Sequence, residues 1–206
     1  MSDLTEKFLI LKKTKYAESD LIIHALSALG AKKSFMAKGA LNSKKRFSGG
    51  VLEPMHYVQF TYRPARTEEG LNYLNEASII EDFKNIRTDF DKIDFALNIM
   101  NCAFHVSQEG AFDSHFLFNL VGHALKFLNT SNPDQLITFK LHFYLKLLYQ
   151  QGVISIDPWM SLFLKTNLSD SGLLNNNPDI QQSVMTYLDS IELQVFHYIK
   201  SADSGF

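Results

Sequence analysis

Cysteine is nearly absent: Cys102 is the only one in 206 residues. A single thiol excludes an intrachain disulfide and a zinc site built on several thiolates. It also points to a reducing, cytoplasmic setting. Long apolar runs are missing too. The strongest, Leu136–Tyr149, is broken by Lys140, His142 and Lys146 and is shorter than the ~20 residues a membrane span needs, so no membrane partner is expected. The start, Met1-Ser2-Asp3-Leu4-Thr5-Glu6-Lys7, lacks the basic and apolar regions of a secretory signal. There is no fixed-period repeat, and the one low-complexity tract is Asn175-Asn176-Asn177. Phosphate-binding Gly-x-x-x-x-Gly-Lys-Ser/Thr, dinucleotide-binding Gly-x-Gly-x-x-Gly and hydrolase Gly-x-Ser-x-Gly motifs are all absent.

What is present is ordinary for a folded chain: 46% hydrophobic and 20% charged residues, which rules out disorder as the main state. Its texture changes near Glu81–Thr88. Before that point short apolar runs alternate with turn residues, and Phe8–Leu11, Leu21–Leu26, Phe35–Ala37, Met55–Tyr62 and Leu71–Ile80 are predicted strands. In the fourth, Val58, Phe60 and Tyr62 share a face, a period of two that suits a half-buried strand. Five short strands predict a small closed barrel, OB-like or SH3-like. After Thr88 the period is helical. Phe90, Ile93, Leu97, Met100 and Phe104 form one stripe, with Thr88 and Asp91 as a variant capping box. Asp113 is placed to cap a second helix. Asn132-Pro133 opens a third that stops near Gly152, and Asn177-Pro178 opens the last. The second and third helices are apolar on several faces and should be central. Ser155–Asn177 shows no clear period.

The net charge of −2 conceals a dipole. Residues 1–64 sum to +6 and residues 65–206 to −8. No acid lies between Asp20 and Glu53, while Lys32, Lys33, Lys38, Lys44, Lys45 and Arg46 crowd one stretch with Phe35 and Phe47 among them. Mobile cations suit phosphates and flat rings suit exposed bases, so the pattern favours a single-stranded nucleic acid. Gly39, Gly49 and Gly50 would let the segment flex and approach a ligand. A solvated, solubilising loop is the competing reading. Phe35 reads as core. Phe47 is the better stacking candidate, with Tyr62 a second.

Tyr16-Ala17-Glu18-Ser19-Asp20-Leu21-Ile22 is followed by Ala37-Lys38-Gly39-Ala40, by Ser43-Lys44-Lys45-Arg46-Phe47 and by Gly50-Val51-Leu52-Glu53-Pro54. Leu74-Asn75-Glu76-Ala77 and Arg87-Thr88-Asp89 come later. This ordered set, sharp over about residues 8–90, resembles the N-terminal domain of the RecO family of bacterial recombination mediators. The resemblance implies an α+β chain of two domains: an OB-fold barrel over residues 1–82 and an all-α helical domain over residues 83–206. It implies binding of single- and double-stranded DNA and annealing of complementary strands. The partners implied are RecR and the acidic tail of single-stranded-DNA-binding protein, with RecA loading as the outcome in the bacterial cytoplasm or nucleoid. It implies neither catalytic turnover nor a cofactor. The matching DNA contacts are Lys38, Lys44, Lys45 and Arg46, the positions that charge alone selects. Lys12, Lys13, Lys15, Lys32, Lys33 and Arg63 are further candidates in the same basic half. The chain departs from many relatives in having no cysteine over Ile154–Asn177, where they carry a four-cysteine zinc motif. That segment must be held by packing, with Trp159, Phe163 and Leu164 as candidates. The ending Lys200-Ser201-Ala202-Asp203-Ser204-Gly205-Phe206 also lacks the family's basic tail.

Other constellations read as structural. His24, His56, His105, His115, His123, His142 and His197 show no ligand spacing with a carboxylate, so no metal is expected. Asp113-Ser114-His115 reads as a helix cap, since triad members are assembled by the fold and not as sequence neighbours. Cys102 reads as a small core hydrophobe. Glu18 and Asp20, beside Lys12, Lys13 and Lys15, are expected to form ion pairs. The leading expectation is a non-enzymatic DNA-binding mediator. Its rival is a protein–protein adaptor with weak DNA affinity. For an acidic peptide tail, Lys126, Lys140, Lys146 and Lys165 are candidate cations in the helical half.

Overall fold

The computed structural model describes residues 2–67, 70–108 and 115–203. They form two compact units, one of Met1–Phe83 with Leu97–Val121, the other of Lys84–Ala96 with Gly122–Phe206. Residues 97–121 thus belong to the barrel unit.

In the first unit β1 (Leu4–Lys15), β2 (Leu21–Ser27), β3 (Lys32–Ala37), β4 (Tyr57–Arg63) and β5 (Asn72–Glu81) close in the order β1-β2-β3-β5-β4. That five-stranded closed order is the OB-fold. β1 is far longer than its apolar run because it serves two partners. It pairs with β4 over Leu4–Leu9 and with β2 over Phe8–Lys15, bending at a bulge between Ile10 and Lys12. β4 begins at Tyr57 and not at Met55, which sits in a turn at φ 74°. Inward residues alternate as predicted in β4: Val58, Phe60 and Tyr62 are buried. Phe35 lies at the centre of the core, its ring 5.0 Å from Phe8, 5.1 Å from Phe60 and 5.1 Å from Tyr62, all edge-on.

Closure between β3 and β5 is short. Only Phe35–Asn72 and Met36–Tyr73 pair, in parallel. Beyond them the long β3–β4 connection takes over: Phe47, Val51 and Leu52 enter the barrel core, and Ala77 N–H donates to the Arg46 carbonyl at 3.2 Å. The end of α1 (Phe90–Val106) and the start of α2 (His115–Thr130) complete the unit. Phe104 lies edge-on to His24 at 5.2 Å, Phe118 meets Tyr57 at 5.9 Å, and His115 Nδ1 donates to the Ala28 carbonyl at 2.9 Å.

In the second unit α3 (Leu136–Gln150) is buried on several faces, as its sequence predicts, and packs on α5 (Pro178–Asp203). Phe95 of α1 meets Phe139, Phe143 and Tyr144 edge-on, and Phe127 of α2 stacks on Phe139 at 4.4 Å. Asn132 and Gln135 form the capping box before α3, and Asn177 Oδ1 accepts from Asp179 N–H at 2.9 Å at the start of α5. Gly152, at φ 68°, ends α3 where a left-handed residue is needed. The cap of α1 is Asp89, whose Oδ1 accepts from Lys92 N–H at 3.1 Å. Thr88, the expected cap, instead donates its hydroxyl back to the Asn85 carbonyl. Asp113 lies outside the described residues.

Short turns and α4 (Ser161–Lys165) carry residues 154–177, the stretch without a clear period. Met160, Phe163, Leu168 and Leu174 are buried there, and Trp159 stacks on Tyr187 at 4.0 Å. Two polar clamps add to this packing. His142 is fully buried, with Nδ1 2.9 Å from the Ser171 hydroxyl and Nε2 3.2 Å from the Thr166 carbonyl. Lys146 donates to the Leu164 carbonyl at 2.7 Å. Among the described residues no helix is long and apolar enough to cross a membrane, and no cluster of His, Cys, Asp or Glu could hold a metal.

Candidate nucleic-acid interface

The exposed cations of the barrel gather on the β3–β4 connection. β3 ends at Ala37, and Gly39 at φ 63° turns the chain away from the sheet. Asp20 Oδ1 accepts from Gly39 N–H at 2.7 Å and fixes this turn. Asp20 therefore serves as a backbone anchor and not as the lysine partner expected of it. Arg46 donates from Nη2 to the Lys38 carbonyl at 2.8 Å, drawing the two ends of the basic stretch together. Gly49 and Gly50, also left-handed, return the chain toward the core. The connection is thus tied down by Asp20, by Arg46 and by its contact with Ala77, and its glycines shape turns. Lys38, Lys44, Lys45 and Arg46 all project from it exposed.

Beside them opens a cavity of about 430 Å³. Lys44, Gly49 and Gly50 stand along it, with Leu21, Leu41 and Leu52 as apolar walls. The ion pair of Lys13 with Glu53, 2.6 Å long, closes one side. Lys13, expected as a phosphate contact, is held by that carboxylate, which is also the partner that Glu18 and Asp20 were expected to provide.

Phe47 is corrected. It is only 5% exposed and belongs to the barrel core, so no base can stack on it. A sequence offers no local sign that a residue in a basic loop turns back inward. Tyr62 is corrected likewise. It is 1% exposed, and its hydroxyl donates to Glu6 Oε1 at 2.7 Å. Lys33 completes that cluster, donating to Glu6 Oε2 at 2.9 Å and to Tyr62 Oη at 3.0 Å. Burial works against the Lys33 charge, but the bonds to Tyr62 and Glu6 outweigh it, and its pKa is raised. Burial pushes the Tyr62 phenol up as well. Lys33 is thus engaged by Glu6 and Tyr62 on the barrel surface.

Lys12 and Lys32 are drawn elsewhere. Their ammonium groups lie 4.6 Å and 4.5 Å from the Phe104 ring centroid, and Lys32 also donates to the Phe104 carbonyl at 3.1 Å. The end of α1 thereby occupies the outer surface of β2 and β3 near His24. Lys15 is exposed at the end of β1, and Arg63, exposed at the end of β4, stands 3.6 Å from Asp3. The structure thus brings Lys38, Lys44, Lys45 and Arg46 onto one connection, leaves Lys15 and Arg63 at strand ends, engages Lys12, Lys13, Lys32 and Lys33 with neighbouring rings, carboxylates or carbonyls, and buries Phe47.

Two exposed residues near this surface escaped the sequence reading. Leu41 and Tyr73 are both large, apolar and about half exposed. The Lys38 ammonium lies 5.4 Å from the Tyr73 ring centroid. Tyr73 lies within the predicted strand Leu71–Ile80, where nothing in the sequence marks its ring as exposed.

Residues 1–83 match the family model "Recombination protein O N terminal". The chain is 32% identical over 152 residues to the DNA repair protein RecO of Maridesulfovibrio salexigens, covering 73% of this chain and 59% of that relative. It is 30% identical over 146 residues to that of Desulfosudis oleivorans, covering 69% and 55%. It is 30% identical over 149 residues to that of Alkaliphilus metalliredigens, covering 72% and 58%. The chain therefore spans less than two thirds of the length of these relatives. The barrel order, the matched N-terminal domain and these relatives agree: the chain belongs to the RecO family.

Proposed function

We propose that the chain is a DNA repair and recombination mediator whose barrel binds the phosphate backbone through Lys38, Lys44, Lys45 and Arg46. One observation carries this reading: four exposed cations are displayed on a connection whose Phe47, Val51 and Leu52 are locked into the barrel. Cations on a fixed scaffold are pre-organised for a polyanion, and exposed ones can trade water for phosphate at little cost. Lys15 and Arg63 extend the positive surface. Annealing follows if backbone charge is screened while base edges stay free, and no turnover is needed. RecR, the acidic tail of single-stranded-DNA-binding protein and, indirectly, RecA are the partners in this reading, with double-stranded DNA as a second ligand. Lys126 and Lys165 are exposed cations of the helical part suited to an acidic tail. Lys146 is spent on the Leu164 carbonyl, and Lys140 lies 5.4 Å from the Phe95 ring.

The test is a salt titration of single-stranded DNA binding by fluorescence anisotropy. Each phosphate contact contributes about 0.7 to the slope of log affinity against log salt. Replacing Lys44, Lys45 and Arg46 with alanine should lower the slope by about 2. An unchanged slope rejects the placement. The adaptor reading has its own observation: Met185, Leu193 and Phe196 leave apolar surface exposed along α5 in the acidic part of the chain. It gains if the triple variant leaves DNA binding intact while a peptide of the acidic tail still binds.

A further inference from the structure

Phosphate contacts alone do not distinguish a single strand from a duplex; an unpaired base on an aromatic face does. Among the described residues of the barrel unit the exposed aromatic side chains are Tyr16 and Tyr73. Tyr16 sits at the base of the β1–β2 turn, its N–H donating to the Asp20 carbonyl at 3.0 Å, with Lys15 as its sequence neighbour. Tyr73 is placed differently. Leu74 points into the core, so Tyr73 points outward from β5, and its ring is 49% exposed. It is register partner to Arg63 on β4 and to Met36 on β3, and so stands on the seam that closes the barrel.

Its support is rigid. Asn72 donates from Nδ2 to the Ser34 carbonyl at 3.0 Å and accepts from Ala65 N–H at 3.1 Å, tying β5 to β3 and to the start of the β4–β5 connection. Gly70 packs so closely that a Cβ there would meet Ala65 Cβ at 2.8 Å. Arg63, Arg66 and Tyr73 border an open depression of about 680 Å³. Glu68 and Glu69, which follow Arg66 in sequence, lie outside the described residues. Two cations flank the ring: Lys38, just past the end of β3 and 5.4 Å from the centroid, and Arg63, its register partner on β4. Arg63 faces Asp3 at 3.6 Å with both side chains exposed, an ion pair that phosphate can replace.

We propose that Tyr73 is a stacking platform for one unpaired nucleobase, with Lys38 and Arg63 holding the phosphates on either side of it. The inference rests on the DNA-binding reading and names the ring that makes the surface selective for single strands. Lys38 now covers the ring only loosely; on binding it yields the face to a base and takes the adjoining phosphate.

The experiment compares the unaltered chain with Tyr73→Ala, Tyr73→Phe and Tyr73→Trp. The probes are a labelled oligothymidylate and an abasic oligonucleotide of equal length. Tyr73→Ala should bind oligothymidylate about tenfold more weakly, with an unchanged salt slope and unchanged binding of the abasic strand. Tyr73→Phe should bind like the parent, and the Tyr73→Trp emission should be quenched by oligothymidylate and not by the abasic strand. Equal affinities of the parent and Tyr73→Ala for oligothymidylate, with the salt dependence intact, would overturn this inference alone. So would an equal loss for both probes. No binding of oligothymidylate by the unaltered chain overturns it together with the DNA-binding reading.

Discussion

Acidification should unfasten the helical part of the chain through one residue, His142. Its Nε2 faces the Thr166 carbonyl, which can only accept, so Nε2 carries the proton and Nδ1 accepts from the Ser171 hydroxyl. The neutral ring satisfies both contacts. Burial, and then the nearby Lys146 charge, lowers its pKa from 6.5 to about 4. The unfolded chain binds this proton at the higher value and the folded chain resists it. Stability is therefore full above the unfolded pKa and declines as pH falls toward the folded one. The full shift corresponds to about 3 kcal/mol, of which about 2 kcal/mol is lost between pH 7.5 and pH 5. Urea unfolding followed by circular dichroism at the two pH values measures it. His142→Gln should be less stable than the parent at pH 7.5 and should lose about 2 kcal/mol less on acidification. Parallel pH profiles for the parent and His142→Gln would refute the reasoning.

Two further outcomes follow from burial. Phe47→Ala should destabilise the chain by about 3–5 kcal/mol in urea unfolding, because it opens a cavity in the barrel core; a stable variant with only weaker DNA binding would restore Phe47 as a surface platform. Cys102 is fully buried, and burial pushes its thiol up to about 12. An aromatic disulfide reagent should leave it untouched in the folded chain and label it promptly in denaturant.

How much could be read from residues alone depended on whether local pattern or distant pairing sets each feature. β4 and the helical stripes were legible because each has one buried face, so its period survives in the sequence. The ends of β1 were not, because they are set by two partners, one of them β4, which lies far along the chain. The cationic stretch was legible as charge, and Lys38, Lys44, Lys45 and Arg46 are exposed on it. Which of its neighbours are engaged was not. Lys12 and Lys32 lie over Phe104, and Lys33 is held by Glu6, residues far from them in sequence. The burial of Phe47 and the exposure of Tyr73 were hidden for the same reason. A ring's exposure depends on which side of a closed sheet its residue faces, and the seam between β3 and β5 decides that only after folding. The polar clamp on His142 was hidden in the same way, since Ser171 and Thr166 lie in the segment with no readable period.

The matched N-terminal domain ends at residue 83, yet its compact unit does not. Residues 97–121 supply Phe104 to the lysines and His24, and Phe118 to Tyr57. A fragment cut after residue 83 would carry every DNA contact proposed here and still be an unfinished object. It would lose the Phe104 ring that lies over the Lys12 and Lys32 ammonium groups and the Phe118 ring that meets Tyr57. Its nucleic-acid affinity would be raised by two ammonium groups no longer drawn to the Phe104 ring, and its solubility would suffer. Binding measured on such a fragment would overstate what the intact protein does.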